Sequence, residues 1–180
     1  MKHFRRFIWF ICSRLLIAIC ILGVMIMAFY YAMNATNIYV ILKDGMAKRA
    51  QVIMMGEDKT TLYSYFYPNY VDHIDSDIRS GVEGNNYYQY YYNITGFDHR
   101  LELQWVWCWP WEDNATATFT ERIPAIDGKV KSTRREAALS VGLTASPPAW
   151  RTIKYTATLT RENDQWRVLT MKVTEIIEDK

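Results

Sequence analysis

LELQWVWCWPW, Leu101 to Trp111, repeats a large apolar residue at every second position and meets a proline one residue before its end. On a strand alternate residues share a face, so Leu101, Leu103, Trp105, Trp107, Trp109 and Trp111 line one side, and Glu102, Gln104, Val106 and Cys108 line the other. Each indole removes on the order of 150–250 Å² from water when covered. The indole side is therefore expected to be covered, by the chain's own helices near Leu103–Trp107 and by a ligand or partner near Trp109 and Trp111. Pro110 cannot sustain central pairing, and the strand is expected to end there.

Working outward, YYQYYYNITGF (87–97), DNATATFTERI (113–123), RTIKYTATLTREN (151–163) and WRVLTMKVTEII (166–177) are also rich in β-branched and aromatic residues. Ala115, Ala117, Phe119 and Ile123 share one face, as do Ile153, Tyr155, Ala157 and Leu159, with threonines on the other. Arg161-Glu-Asn-Asp164 reads as a hairpin turn and Asp127-Gly128 as another. Thr133 and Glu136 have capping-box spacing before a short helix, AALSVG. Its basic neighbours Lys129, Lys131, Arg134 and Arg135 read as a solvated loop.

Helices precede the strands. Ile38, Ile41, Leu42, Met46, Ile53 and Met54 recur mostly at three- and four-residue spacings, which predicts an amphipathic helix capped by Asn34 or Thr36 and ending at Gly56. EDKTTLYSYF (57–66) predicts a second, short helix closed by Pro68. Val71–Asn86 is rich in turn residues and predicts a loop with at most one helical turn. Helices followed by an antiparallel meander make an α+β fold, with helices packed on a curved sheet.

The amino-terminal segment sets the address. Leu15–Met33 is an uncharged apolar run close to the roughly 20 residues that cross a bilayer. Lys2, Arg5, Arg6 and Arg14 precede it and Lys43 is the next positive charge, which puts the amino terminus in the cytoplasm. The expected organisation is a cytoplasmic tail (1–14), a transmembrane helix (15–33) and one extracytoplasmic domain (34–180) in the cell membrane. A signal peptide cleaved near Ala35 is the rival; the run exceeds the usual 7–15 residues and the flank fits A-x-A poorly.

The net charge of +2 comes from the first 34 residues, which hold four positive charges and no negative ones. The remainder is mildly acidic and shows no footprint for nucleic acid. Cys108 is the only cysteine after Cys12 and Cys20, so the outer domain has no disulfide framework.

The order of elements, and the ending RTIKYTATLTRENDQWRVLTMKVTE with its D-x-W-R-V return at Asp164–Val168, resembles domains of the nuclear transport factor two-like superfamily. Tyr155–Val173 carries the likeness. It implies a cystatin-like cone of sheet around helices. A cone-shaped domain behind one membrane helix is similar to the bitopic assembly components of type IV secretion and conjugation machines. The resemblance thus implies the lipid bilayer and protein partners, or a homo-oligomer, as contacts.

No spacing names a reaction, a metal or a cofactor. VDHIDSD (71–77) offers Asp72 and His73 as polar groups for a ligand-binding or enzymatic cone interior, the alternative reading. Asp75 and Asp77 add oxygen donors, but a charged surface turn is the stronger account of the stretch. Tyrosine clusters bracket this loop, with Tyr67 and Tyr70 before it and Tyr87, Tyr88 and Tyr90 after it. The expected contact surface is therefore Trp109, Trp111, Tyr67, Tyr70, Asp72 and His73.

Overall fold

The computed structural model describes residues 2–177, with side chains from Trp9 onward. The charges of Lys2, Arg5 and Arg6, on which the orientation reading rests, lie outside the described side chains. A helix, α1 (Lys2–Met55), is followed by short helical turns and a four-stranded antiparallel sheet in the order β1-β2-β3-β4. The strands are β1 (Tyr92–Cys108), β2 (Asn114–Val130), β3 (Thr152–Glu162) and β4 (Gln165–Ile177). The fold is α+β.

The expected break at Asn34–Thr36 does not occur. The Thr36 hydroxyl donates to the Ala32 carbonyl one turn back, 2.8 Å away, instead of capping a new helix. Asn34 is itself buried. The 54 residues of α1 form one rod about 80 Å long. From Trp9 to Met33 its side chains are exposed or nearly so, and none is buried. From Ile38 onward one stripe is buried, with Leu42, Met46, Ala50 and Ile53 at helical spacing. Gly56, at φ +73°, ends the helix as expected.

Lys59–Ser64 is a 3-10 helix whose Asp58 cap accepts from the Thr60 N–H. Val71–Asn86 is more ordered than a loop. A π-turn (Tyr70–Ile74) leads into α2 (Ser76–Val82), capped by Asp75 through the N–H groups of Asp77 and Ile78. Tyr87–Tyr91 is a helix, α3, and not the start of a strand, because the Asn86 side chain caps it. Gln89 then donates to the carbonyls of Val52, Ile53 and Gly81, covering the ends of α1 and α2.

The turn expected at Asp127-Gly128 is continuous strand, with Gly128 opposite Ile94. A Cβ there would stand 2.8 Å from the Asn93 carbonyl oxygen, so the glycine serves close approach of β1 and β2. The turn at Asn163 and Asp164 is as expected, both residues having positive φ as a two-residue hairpin requires. α4 (Arg135–Ser140) has no side-chain cap, so the Thr133–Glu136 box does not form.

The core lies between α1 and one sheet face, where Phe119, Ala117, Tyr155, Ala157, Leu159, Trp166 and Val168 meet Ile38, Leu42, Met46 and Phe66. On the other face Thr118, Thr156 and Thr174 form a ladder of hydroxyl contacts at 3.5 and 3.0 Å. The alternation read for β2 and β3 thus holds.

Two substitutions follow from this packing. Phe119→Ala removes a fully buried ring against α1 and is expected to cost about 3–5 kcal/mol in chemical unfolding. Gly81→Ala places a methyl 2.8 Å from the Ile53 Cα, and is expected to lower the melting temperature although alanine is the better helix former. A Gly81→Ala variant as stable as the parent would show that α2 is not seated against α1.

Candidate functional site

β1 shifts register against β2 at three places, between Ile94 and Gly96, between Asp98 and Arg100, and between Leu103 and Trp105, and the last of these decides where the indoles point. Leu103 pairs with Phe119 and Trp105 with Thr118, so Gln104 is the extra residue of a β-bulge. A slip of one residue exchanges the two faces of everything beyond it. Before the bulge Leu101 and Leu103 face the core. After it Val106 and Cys108 face the core, opposite Ala117 and Ala115, and the indoles turn outward beside Thr118 and Thr116. The expected covering of the indole side by helices is therefore corrected. Trp105, Trp107 and Trp111 are 51%, 48% and 65% exposed. Cys108 is a buried thiol, and burial pushes its pKa up.

The four indoles form one file. Trp105 stacks on Trp107 (centroids 6.1 Å, 6° between planes), Trp107 meets Trp109 edge-on at 5.3 Å, and Trp109 stacks on Trp111 at 5.1 Å. β1 ends at Cys108, and Trp109-Pro110-Trp111 forms the β1–β2 turn. This turn reaches back along α1. Trp109 and Pro110 border an apolar cleft with Val24, Met27, Ala28 and Tyr31, and the Tyr31 hydroxyl donates to the Val106 carbonyl at 2.7 Å.

The other candidate residues do not gather with the tryptophans. Tyr70 is buried and stacks on Phe66 at 5.8 Å, while Tyr67 is half-buried where its backbone pairs with the edge of β4. Asp72 accepts from Lys59 at 2.6 Å and from the Tyr63 hydroxyl at 3.1 Å. The bond from the Lys59 ammonium holds its carboxyl below the usual value. His73 is exposed. Among the described residues no group of three His, Cys, Asp or Glu side chains is placed to hold a metal ion.

Reading the sequence missed a buried polar core. The Arg49 guanidinium donates to both Asp75 oxygens, at 2.7 and 3.2 Å, with the two side chains 4% and 3% exposed, and reaches Asp77 at 3.1 Å. Burial alone raises the Asp75 carboxyl. The Arg49 charge and the N–H groups of Ile78 and Asp77 outweigh that and hold it below the usual carboxylate range. Burial likewise pushes the Tyr70 and Tyr155 phenols far up. On the sheet side His99 lies 3.2 Å from Glu121, both buried. One signal was available: Asp75 precedes Asp77 and Ile78 at N-cap spacing, and Arg49 sits on the core stripe of α1.

A cleft of about 510 Å³ lies between Tyr87, Tyr88, Pro148, Trp150 and Arg151. Trp150 packs on Tyr88 at 5.4 Å, which ties the Pro147-Pro148 segment to the tyrosine cluster. These groups define a helix-anchored α+β domain with an outward tryptophan file at one end and a filled interior. The chain matches no known family model, no curated protein and no solved structure.

Arg49→Met strands a buried carboxylate and is expected to cost about 3–5 kcal/mol in unfolding. The sign of the pH effect follows from the depressed Asp75 carboxyl. Its contribution is full above the unfolded value near 4 and is lost as pH falls toward the folded value. Unfolding free energy measured between about pH 2 and pH 5 is expected to fall more steeply with acid in the parent than in Asp75→Asn. Equal slopes would remove this pair from the account.

Proposed function

We propose that the chain is a single-pass membrane protein in which α1 anchors an extracytoplasmic domain that binds protein partners or a second copy of itself. The observation that carries this is the exposed apolar helix. Trp9–Met33 has no buried residue, and the 18-residue window with mean hydropathy 2.5 is wholly unburied inside the protein. A rod of this kind is stable in lipid and insoluble in water. The positive residues before it and their absence just after it support a cytoplasmic amino terminus.

Two features support an uncleaved anchor. Ala35 lies within unbroken helix, and Asn34 and Ala35 pack against the domain, so a cut there would sever the core helix from its first turn. The order of helices before a curved four-stranded meander, with the Asp164–Val168 return, supports a place in the nuclear transport factor two-like superfamily. By that resemblance the chain would be an assembly component of a conjugation or secretion envelope complex. The interior is filled by Phe66, Phe119, Tyr155 and aliphatic side chains, and Asp72 is engaged with Lys59 outside it. This favours the binding reading over a cone-interior enzyme.

Intact-cell proteolysis and crosslinking test the proposal. The domain is expected to be digested from outside while an amino-terminal tag survives, the protein is expected to resist alkaline extraction with Met1 or its neighbour retained, and crosslinking is expected to yield a discrete complex. Release by alkaline wash would remove the anchor, and a chain that stays single at native abundance would remove the assembly role.

A further inference from the structure

We propose that the Trp109-Pro110-Trp111 turn, with Trp107 behind it, seats in the outer headgroup layer of the same bilayer that α1 crosses, as a second point of attachment. The inference rests on the membrane-anchor reading above. It comes from where the turn sits along the helix. Trp109 and Pro110 line one cleft with Val24, Met27 and Ala28, and Val24 is nine residues inside the carboxyl end of the Leu15–Met33 run, about 13 Å along the axis. A bilayer around that run cannot avoid the turn.

The chemistry of the turn selects the depth. Indoles prefer the boundary layer, where an apolar ring and a polar N–H are both satisfied. Trp111 is 65% exposed, and Met25 and Phe29 on the same stretch of α1 are 63% and 61% exposed, so the described residues leave all three largely open. Glu112 and Asp113 follow at once, and Asp113 accepts from Arg161 at 3.0 Å beside the β3–β4 turn. Carboxylates and exposed backbone forbid hydrocarbon and suit headgroups. The Tyr31 bond to Val106 fixes the turn at this height.

The outer boundary then falls near Ala28 instead of Met33, and the span shifts toward the amino terminus. Phe7–Met27 supplies about 31 Å of helix, enough for the hydrocarbon core. Arg14 lies inside that span, and its guanidinium sits 5.3 Å from the Phe10 ring, back toward the cytoplasmic end, as a snorkelling arginine requires. Tyr30 and Tyr31 join the indoles in one aromatic belt.

The test is hydroxyl-radical footprinting of the full chain in phosphatidylcholine nanodiscs loaded with one chain each, read residue by residue by mass spectrometry. Labelling of Trp109 and Trp111 is expected to be lost together with that of Met25 and Met27, while Tyr90 and Met55 label freely. Loss at Met25 with Trp111 labelled as in water would overturn the turn proposal and leave the anchor standing. Labelling at both would overturn the anchor itself. Protection of the indoles only in discs holding two chains would assign their cover to a second copy and also overturn the proposal.

Discussion

The structure depends on a single uninterrupted helix that belongs to two environments. From Trp9 to Met33 it presents mostly apolar side chains that no other part of the described domain buries. Its second half presents one apolar stripe, which the sheet satisfies. Because the hydrogen-bond ladder does not break at Asn34–Thr36, the domain is held to the first half by a rod and not by a linker. The orientation of the sheet, and of everything on it, is then set by the phase of the helix. Arg49 shows how far this goes, since the same stripe that buries Leu42 and Met46 carries a guanidinium into Asp75 and fixes α2.

The bulge at Gln104 is the second determinant. Without it Trp105 and Trp107 would point at α1, where Val106 and Cys108 now lie beside small residues, Ala117 and Ala115. The space between helix and sheet at that end admits a valine and a thiol. One inserted residue converts a strand that would overfill the core into a strand with a narrow inner face and a broad aromatic outer face. The outer threonines of β2 leave room for the indoles to stack on one another along the margin of the sheet.

Much of this was legible from residue order. The long apolar amino-terminal helix, the core stripe from Ile38 to Met54, the alternation of β2 and β3 and the turn at Asn163-Asp164 all follow from period and turn chemistry, since each depends on neighbours within a few positions. The missing pieces depend on partners far away in the chain. A bulge leaves no mark in an alternating sequence until the opposite strand is known, so alternation alone points Trp105 and Trp107 at the core, where the structure has them half exposed. Tyr87–Tyr91 has the composition of a strand, and is a helix because Asn86 caps it and Gln89 reaches three carbonyls of other elements. Gly128 looks like a turn residue and serves strand contact. Among the candidate contact residues, Trp111 is broadly open while Tyr70 is core and Asp72 is held by a lysine, differences that no local pattern encodes.

The continuity of α1 through Asn34–Ile38 is the central claim, and backbone amide exchange of the full chain in lipid nanodiscs tests it most directly. Amides across this stretch are expected to exchange as slowly as those of Leu42–Met46, because each is bonded one turn back and the helix is pinned on both sides. Exchange there at the rate of an unstructured peptide, between two protected segments, would show a hinge and contradict the account.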